Sequence, residues 1–327
     1  MSSQNWKKHL LKTSVPLEHE AARVLSQAGF NVSASFPYYR NDGGVEKEFS
    51  VDVRGVLGYE PPGCVFDVLV ECKYRDQATT WLFLPQPRRQ SKQIHEAIQD
   101  VDLFSPRFVH GGYSLDDNDT VPVCYSAVEV GGGDAAGADG KGRALDSQLR
   151  HGVRQLQYAL PPLLALRVRW VTFQRPEENY PFFFVPILLT NARLMVAHHD
   201  FGLEAVERAE NLDSLGNIES RVIWSSELGP DFDMHCQRHL ADLPRLAQTK
   251  NMKAVEEQRK SAGLADWLQP SAVVSRIAVD GRVATDIAEY TEVLVVNLEA
   301  LPHVIARLRV AFENRAKSLK TKPLFMG

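Results

Sequence analysis

Two spacings of apolar residues alternate along the chain. Segments in which apolar residues recur every three to four positions predict helices with one buried stripe, and short segments that are apolar throughout predict buried strands. Helices are predicted at residues 16–29, 88–103, 143–160, 250–267 and 300–320. Strands are predicted at residues 49–57, 65–74, 121–130, 166–174, 182–190, 193–198 and 291–298. Helices that precede and separate strands indicate an α/β fold.

The length of the chain permits one large domain or two ordinary ones, since it has 327 residues. The pattern is strongest over residues 1–200, where we predict a core domain. Residues 201–327 are predicted to form a C-terminal region of unknown role that packs on the same core. The net charge of −4 argues against a wholly basic surface but leaves room for a local basic groove.

Neither a membrane span nor a disulfide framework is indicated. No apolar run is long enough to cross a bilayer, and the first residues lack the apolar region of a signal peptide, so we expect a cytoplasmic protein with no membrane partner. The four cysteines form no C-x-x-C pair. This spacing argues against a zinc knuckle and favours buried free thiols.

Charged residues interrupt two of the predicted strands. The segment FSVDVRGVL contains Asp52, and the segment VFDVLVECKY contains Glu71 and Lys73. Residues two apart on a strand point to the same face, so Glu71 and Lys73 should project side by side. Buried carboxylates are costly unless they are paired or bound to a metal. The pattern therefore predicts a metal site with a lysine beside it.

Such a site suits the hydrolysis of a phosphodiester bond. Magnesium usually takes one or two carboxylates together with waters and phosphate oxygens. Asp52 and Glu71 would supply the carboxylates, and the main-chain carbonyl of Cys72 is placed to add a third ligand. Lys73 can orient the attacking water or steady the scissile phosphate, whose developing charge must be neutralised.

The first predicted helix offers a further acid. Glu18 lies nearer its apolar stripe than Glu20, so Glu18 is expected to reach the metal site directly or through water, and Glu20 is expected to face solvent. The order of a helix glutamate, a strand aspartate and a strand Glu-x-Lys resembles the PD-(D/E)XK nuclease superfamily. The segment LEHEAARVLSQAGF at residues 17–30 is similar to the opening helix of the type IV restriction nucleases. By this resemblance the site consists of Glu18, Asp52, Glu71 and Lys73.

The resemblance implies a restriction-endonuclease-like core, in which helices flank a central mixed β-sheet, with a C-terminal elaboration. It also implies an endonuclease that depends on Mg²⁺, for which Mn²⁺ can substitute. DNA is the expected substrate, and defence against foreign DNA is the expected role. The resemblance covers about residues 15–200, with specific motifs only at 17–30 and 49–74, and Val51 stands where the family pattern has proline.

Simpler interpretations stand beside the metal site. Glu71 and Lys73 could form a surface ion pair on an edge strand, although the apolar run before them favours a central strand. Asp67 shares the face of Glu71, and we expect a solvated role near a turn for it rather than a metal ligand.

Basic residues indicate where nucleic acid could bind. Arg143, Arg150 and Arg154 follow the polar side of one predicted helix and could contact phosphates, although a solvated helix face explains them equally well. The same two interpretations apply to Arg88, Arg89, Lys92 and the basic C-terminal helix. Two alternatives to a nuclease remain: a non-catalytic protein that binds or senses nucleic acid, and one subunit of a larger assembly. Residues 201–327 could hold a homodimer or a protein partner.

Overall fold

The computed structural model describes residues 5–59, 64–75, 78–87, 91–101, 119–131, 147–171, 182–226, 228–242, 245–246, 249–261 and 291–321. Its helices are α1 (Asn5–Lys12), α2 (Val15–Gln27), α3 (Ser147–Val171), α4 (Leu203–Arg208), α5 (Pro230–Leu240), α6 (Lys250–Ser261) and α7 (Leu301–Thr321). Short 3₁₀ helices lie at Ile94–Ala97, Leu212–Leu215 and Leu298–Ala300. None of these described helices is both long enough and apolar enough to cross a membrane.

The strands account for most of the buried framework. They are β1 (Asn31–Ser33), β2 (Phe36–Asp42), β3 (Val45–Val51), β4 (Val53–Tyr59), β5 (Cys64–Lys73), β6 (Thr80–Pro85), β7 (Ser91–Gln93), β8 (Gln99–Val101), β9 (Thr120–Val130), β10 (Phe182–Thr190), β11 (Arg193–Ala197), β12 (Gly216–Glu219), β13 (Arg221–Trp224) and β14 (Val293–Asn297).

One large mixed sheet forms the centre of the fold. Among the described residues twelve strands join it, in the order β1-β4-β5-β10-β14-β13-β9-β6-β11-β12, with β7 beside β9 and β8 beside β10. Strands β5, β10 and β14 are parallel, and β4 and β13 flank them antiparallel. Every residue of β10 is buried, as expected for a central strand covered on both faces.

Helices cover both faces of this sheet. Helices α3 and α5 pack on one face over a core that includes Leu69 and Leu188. Helices α2 and α7 pack on the other face over a core that includes Val70 and Cys72. Neighbouring residues of β5 thus enter opposite cores, as strand alternation requires. The predicted α/β fold, with a mixed central sheet flanked by helices, is confirmed.

Strands from beyond residue 200 belong to the same sheet. Strands β13 and β14 lie between β10 and β9, so the predicted boundary at residue 200 does not separate two sheets. Both segments are short apolar runs that are buried in the centre of the sheet. The four cysteines are free and buried, which confirms that part of the sequence prediction.

Two predictions of secondary structure are wrong. The predicted strand at 166–174 is, as far as Val171, the end of α3, and residues beyond it lie outside the described part. The helix continues through Pro161 and Pro162, and beyond them the fully buried Leu163 joins the core that contains Leu69, while Arg167 donates to Asp67 of β5. The predicted helix at 88–103 is described from residue 91, where two short strands flank a 3₁₀ helix and pair with β9 and β10.

A two-stranded ribbon leads into the sheet. Strands β2 and β3 pair antiparallel around Gly43 and Gly44, whose φ angles of 63° and 86° lie in the left-handed region that glycine favours. The predicted strand at 49–57 is therefore divided, because β3 ends at Val51 in the ribbon and β4 begins at Val53 in the sheet. Asp52 lies at the bend between them.

Candidate active site

Strand β5 places Glu71 and Lys73 together on one buried face. The strand lies between β4 and β10, and Glu71 is opposite Leu188 in the register. Glu71 is 1% exposed, the Lys73 side chain is 14% exposed, and Lys73 Nζ donates to Glu71 Oε1 at 2.6 Å. The alternative of a surface ion pair on an edge strand is therefore wrong.

Asp52 reaches the same place from the bend before β4. Its Oδ2 accepts a hydrogen bond from the backbone N–H of Cys72 at 2.7 Å. The pairing of β4 with β5 ends at Val53, which is opposite Val70. The Asp52 carboxylate therefore accepts the Cys72 N–H in place of a backbone carbonyl of β4. Burial raises the pKa of Asp52, and the Cys72 N–H and the Lys73 ammonium oppose that rise.

Glu71 has a strongly perturbed carboxyl group. Burial raises its pKa to about 8, because the cost of a buried charge exceeds the stabilisation by the Lys73 ammonium. The Asp52 carboxylate adds to the rise, and the hydrogen bonds from Lys73 and from the Asp52 backbone oppose it. Its second oxygen, Oε2, is buried without a hydrogen-bond partner in the described part of the chain. A buried carboxylate oxygen that no protein group satisfies is the donor that a hard cation requires.

Glu18 approaches this cluster from α2. It lies in the first turn of the helix and is half-buried. Burial raises the pKa of Glu18, the Asp52 carboxylate raises it further, and Lys73 lowers it. These interactions place the Glu18 carboxyl within electrostatic range of both residues. Glu20 instead binds Arg23 at 2.6 Å, and both side chains are largely exposed, as predicted for Glu20.

Helix α3 holds Lys73 from the other side. Lys73 Nζ also donates to Gln155 Oε1 at 3.0 Å, and Gln155 Nε2 donates to the carbonyl of Ser50 at 3.2 Å. The helix comes this close because residue 152 is glycine, where an added Cβ would lie 3.0 Å from Lys73 Cε and 2.7 Å from Leu188 Cδ1. Gln155 thus connects Lys73 to the end of β3, two residues before Asp52.

The sequence pattern did not indicate the hydrogen bond from Lys73 to Gln155. The available signal was the position of Gly152 and Gln155, three apart on the flank of the apolar stripe of α3. A contact between residues 73 and 155 depends on how α3 crosses β5, which spacing along one helix does not specify.

Asp67 has neither the solvated role that was predicted for it nor a vacancy for a metal. It is fully buried, with Arg54 Nη2 at 2.7 Å from Oδ1 and Arg167 Nε at 2.6 Å from Oδ2. The buried carboxylate is satisfied on both oxygens because Arg54 comes from the adjacent β4 and Arg167 from the end of α3. The prediction failed because Arg167 was assigned to a strand.

The basic residues that were candidates for phosphate contact lie in different environments. Arg143 lies outside the described residues, and Arg150 and Arg154 are exposed on α3 in the turns around Gly152. Lys92 is buried in an ion pair with Glu292, and Arg315 of α7 is buried and donates to the carbonyls of His95 and Ile98. The side chains of these two basic residues are buried and bind groups within the fold. Arg88 and Arg89 also lie outside the described residues.

The donor set fits a magnesium ion. Within the described residues there is no group of three or more His, Cys, Asp or Glu side chains that could hold a metal. Magnesium does not need such a cage, since one or two carboxylates with waters and phosphate oxygens suffice. Asp52 and the unsatisfied oxygen of Glu71 would supply two such carboxylates.

Comparisons of this chain with protein-family models, with curated proteins and with solved structures find no match.

Proposed function

We propose that this protein is a magnesium-dependent nuclease with a restriction-endonuclease-like core, and that it hydrolyses phosphodiester bonds in DNA. The main support for the proposal is the buried Oε2 of Glu71, which lacks a hydrogen-bond partner among the described residues. The Glu71 carboxyl also lies beside Lys73 and close to Asp52. Perturbed carboxyl groups clustered with a lysine are typical of catalytic sites. The resemblance to PD-(D/E)XK nucleases supplies the reaction class.

Two carboxylates and one carbonyl would hold the ion. Asp52 and Glu71 provide the carboxylates. The Cys72 carbonyl is the third donor, because the N–H and C=O of one strand residue point to the same side and the Cys72 N–H points to Asp52. Bound magnesium would polarise the scissile phosphate and offset its negative charge.

Lys73 and Glu18 would orient water around the ion. The Lys73 ammonium has a fixed position, since Glu71 and Gln155 both accept from it, and from there it can orient water or bind a phosphate oxygen. Glu18, half-buried at the edge of the cluster, can accept a hydrogen bond from water in the outer shell of the ion. Burial of the whole cluster strengthens each of these electrostatic interactions.

Cleavage assays test this proposal directly. Plasmid, linear duplex, single-stranded DNA and RNA are each incubated with the wild-type chain in magnesium, in manganese and in EDTA. We expect cutting of DNA with either metal and none in EDTA. Asp52→Ala, Glu71→Ala and Lys73→Ala should each abolish cutting while the far-ultraviolet circular dichroism stays that of the wild type.

Lys47→Ala is the matched control, because Lys47 lies exposed on the ribbon in an ion pair with Asp42. This variant should cut like the wild type. Retained activity in the three site variants would overturn the proposal. Failure of the wild type to cut any substrate, together with tight binding in EDTA, would instead favour a non-catalytic binding protein.

A further inference from the structure

Helix α1 lies on the surface with its apolar side chains uncovered. Every side chain of α1 for which burial is described is exposed, including Trp6 at 59%, Leu10 at 46% and Leu11 at 38%. An isolated helix of eight residues is marginal in water, and most helices are stabilised by burying an apolar face. The exposed apolar residues of α1 therefore suit a surface that a ligand covers.

The charge of α1 limits the chemistry of that ligand. Its sequence, NWKKHLLK, contains three lysines and no acidic residue, in a chain whose net charge is −4. Lys7 Nζ lies 5.8 Å from the centre of the Trp6 ring, so an aromatic face and a cation are presented together. A polyanion that carries flat apolar groups matches this combination.

Helix α1 also ends beside the proposed active site. The chain turns directly from α1 into α2, and at this turn Ser14 Oγ accepts a hydrogen bond from the backbone N–H of Tyr74 at 3.4 Å. Tyr74 follows Lys73, and Glu18 lies one turn of α2 beyond Ser14. A ligand on α1 would therefore lie next to the C-terminal end of β5, which carries Glu71 and Lys73.

We propose that α1 binds single-stranded nucleic acid next to the Glu71–Lys73 site, an inference that depends on the proposed nuclease function. Bases stack on Trp6 and pack against Leu10, while Lys7 and Lys12 contact phosphates. A single strand is required because a duplex hides the base faces, whereas unpaired bases can stack on an exposed aromatic ring. The position beside the active site favours nucleic acid over a lipid surface, which is the other polyanion that a basic amphipathic helix can bind.

Binding measurements on the full chain test this inference. Fluorescence anisotropy is recorded in EDTA, which prevents metal-dependent cutting, with labelled single-stranded DNA, single-stranded RNA and duplex DNA. We expect Trp6→Ala to weaken binding of single strands by about tenfold and to leave duplex binding unchanged. The double variant Lys7→Ala, Lys12→Ala should reduce the slope of log affinity against log salt by about 1.4.

Trp170→Ala is the matched control. Trp170 is 44% exposed and also has a cation near its ring, since Arg167 lies 4.7 Å from the ring centre. It lies at the end of α3 near Asp67, which is ~20 Å along β5 from Lys73. This variant should bind single strands as the wild type does. Equal loss in Trp170→Ala and Trp6→Ala would overturn the inference, because it would indicate non-specific stacking.

Four further outcomes decide the question. Unchanged binding of single strands by Trp6→Ala overturns the inference, and so does Trp6-dependent binding to anionic phosphatidylserine vesicles without Trp6-dependent binding to oligonucleotides. Trp6-dependent binding in a chain that cuts no substrate supports the role of α1 while the nuclease proposal fails. Normal cutting by the wild type, together with unchanged binding of single strands by Trp6→Ala, would support the nuclease proposal and overturn the proposed role of α1. The two proposals can therefore fail independently.

Discussion

Two buried carboxylates on the same face of β5 have opposite environments. Asp67 is fully buried, and guanidinium groups of Arg54 and Arg167 satisfy both of its oxygens. Glu71, four residues later, is 1% exposed, but among the described residues only one of its oxygens has a partner, and burial raises its pKa to about 8. The same strand therefore carries one carboxylate that the fold satisfies and one that it leaves unsatisfied.

The difference shows how burial alone fails to identify a functional acid. A carboxylate with complete hydrogen bonding inside the protein has no capacity for a ligand, and its loss should mainly affect folding. A carboxylate with an unsatisfied oxygen costs stability in the metal-free protein, and that cost is offset only when a ligand arrives. Asp67 belongs to the first kind and Glu71 to the second.

The largest expected difference between the two acids is in catalysis. Glu71→Gln should reduce cleavage by roughly 10²–10⁴-fold, because it removes a charged metal ligand while preserving shape. Asp67→Asn should leave the rate per folded molecule within a few-fold of the wild type. Steady-state cleavage of linear DNA, normalised to the folded fraction, measures both. A comparable loss in the two variants would remove the functional distinction.

Stability should respond in the reverse order. Asp67→Asn leaves the buried guanidinium of Arg167 and the partly buried one of Arg54 without their carboxylate, so we expect the free energy of unfolding to fall by about 3–5 kcal/mol. Glu71→Gln should cost little or be stabilising, because the neutral amide has no buried charge and cannot favour the unfolded chain by ionising there at pH 7.5. Urea denaturation at pH 7.5 in EDTA measures the difference. Greater destabilisation by Glu71→Gln than by Asp67→Asn would contradict the comparison.

The raised pKa of Glu71 predicts a pH dependence of stability. The folded chain keeps the Glu71 proton up to about pH 8, whereas the unfolded chain loses it near the ordinary value of 4.5. The folded state therefore holds more protons in this range, and the free energy of unfolding should fall as pH rises from 4.5 to about 8. The contribution is on the order of a few kcal/mol.

Denaturation at a series of pH values in EDTA tests this expectation. Glu71→Gln should flatten the decline, and magnesium should oppose it in the wild type, since the ion favours the carboxylate. Glu20→Gln is the control, because Glu20 is exposed in an ion pair with Arg23, and this variant should keep the decline. Parallel curves for the wild type and Glu71→Gln would show that Glu71 titrates normally.

The smallest expected effect concerns the positioning of Lys73. Gln155→Ala removes one acceptor of the Lys73 ammonium and the bond to Ser50, so we expect about a tenfold loss of the maximal rate with little change in KM. Gln155→Glu, which keeps an acceptor, should restore part of the rate. The exposed Gln27→Ala on α2 serves as a control. A change confined to KM would indicate a substrate contact instead.

The local pattern predicted the elements that have strong, regular spacing. The apolar run of β10, the Glu-x-Lys pair of β5 and the helices α2 and α7 follow from alternation and helical periodicity, and their described boundaries lie within a few residues of those predicted. The pattern failed at 166–171, where strand-forming residues continue α3. There the packing against β5 and the bond from Arg167 to Asp67 outweigh local preference.

The sequence by itself determined the α/β fold class, the shared face of Glu71 and Lys73, and the residue types of a candidate metal site, because these depend on chain geometry over a few residues. Only the tertiary structure decided which carboxylates are satisfied. Arg167 reaches Asp67 across 100 positions, and Gln155 reaches Lys73 across 82. Contacts at such separations depend on how α3 packs across the sheet, and within the described part of the chain that packing leaves one oxygen of Glu71 without a hydrogen-bond partner.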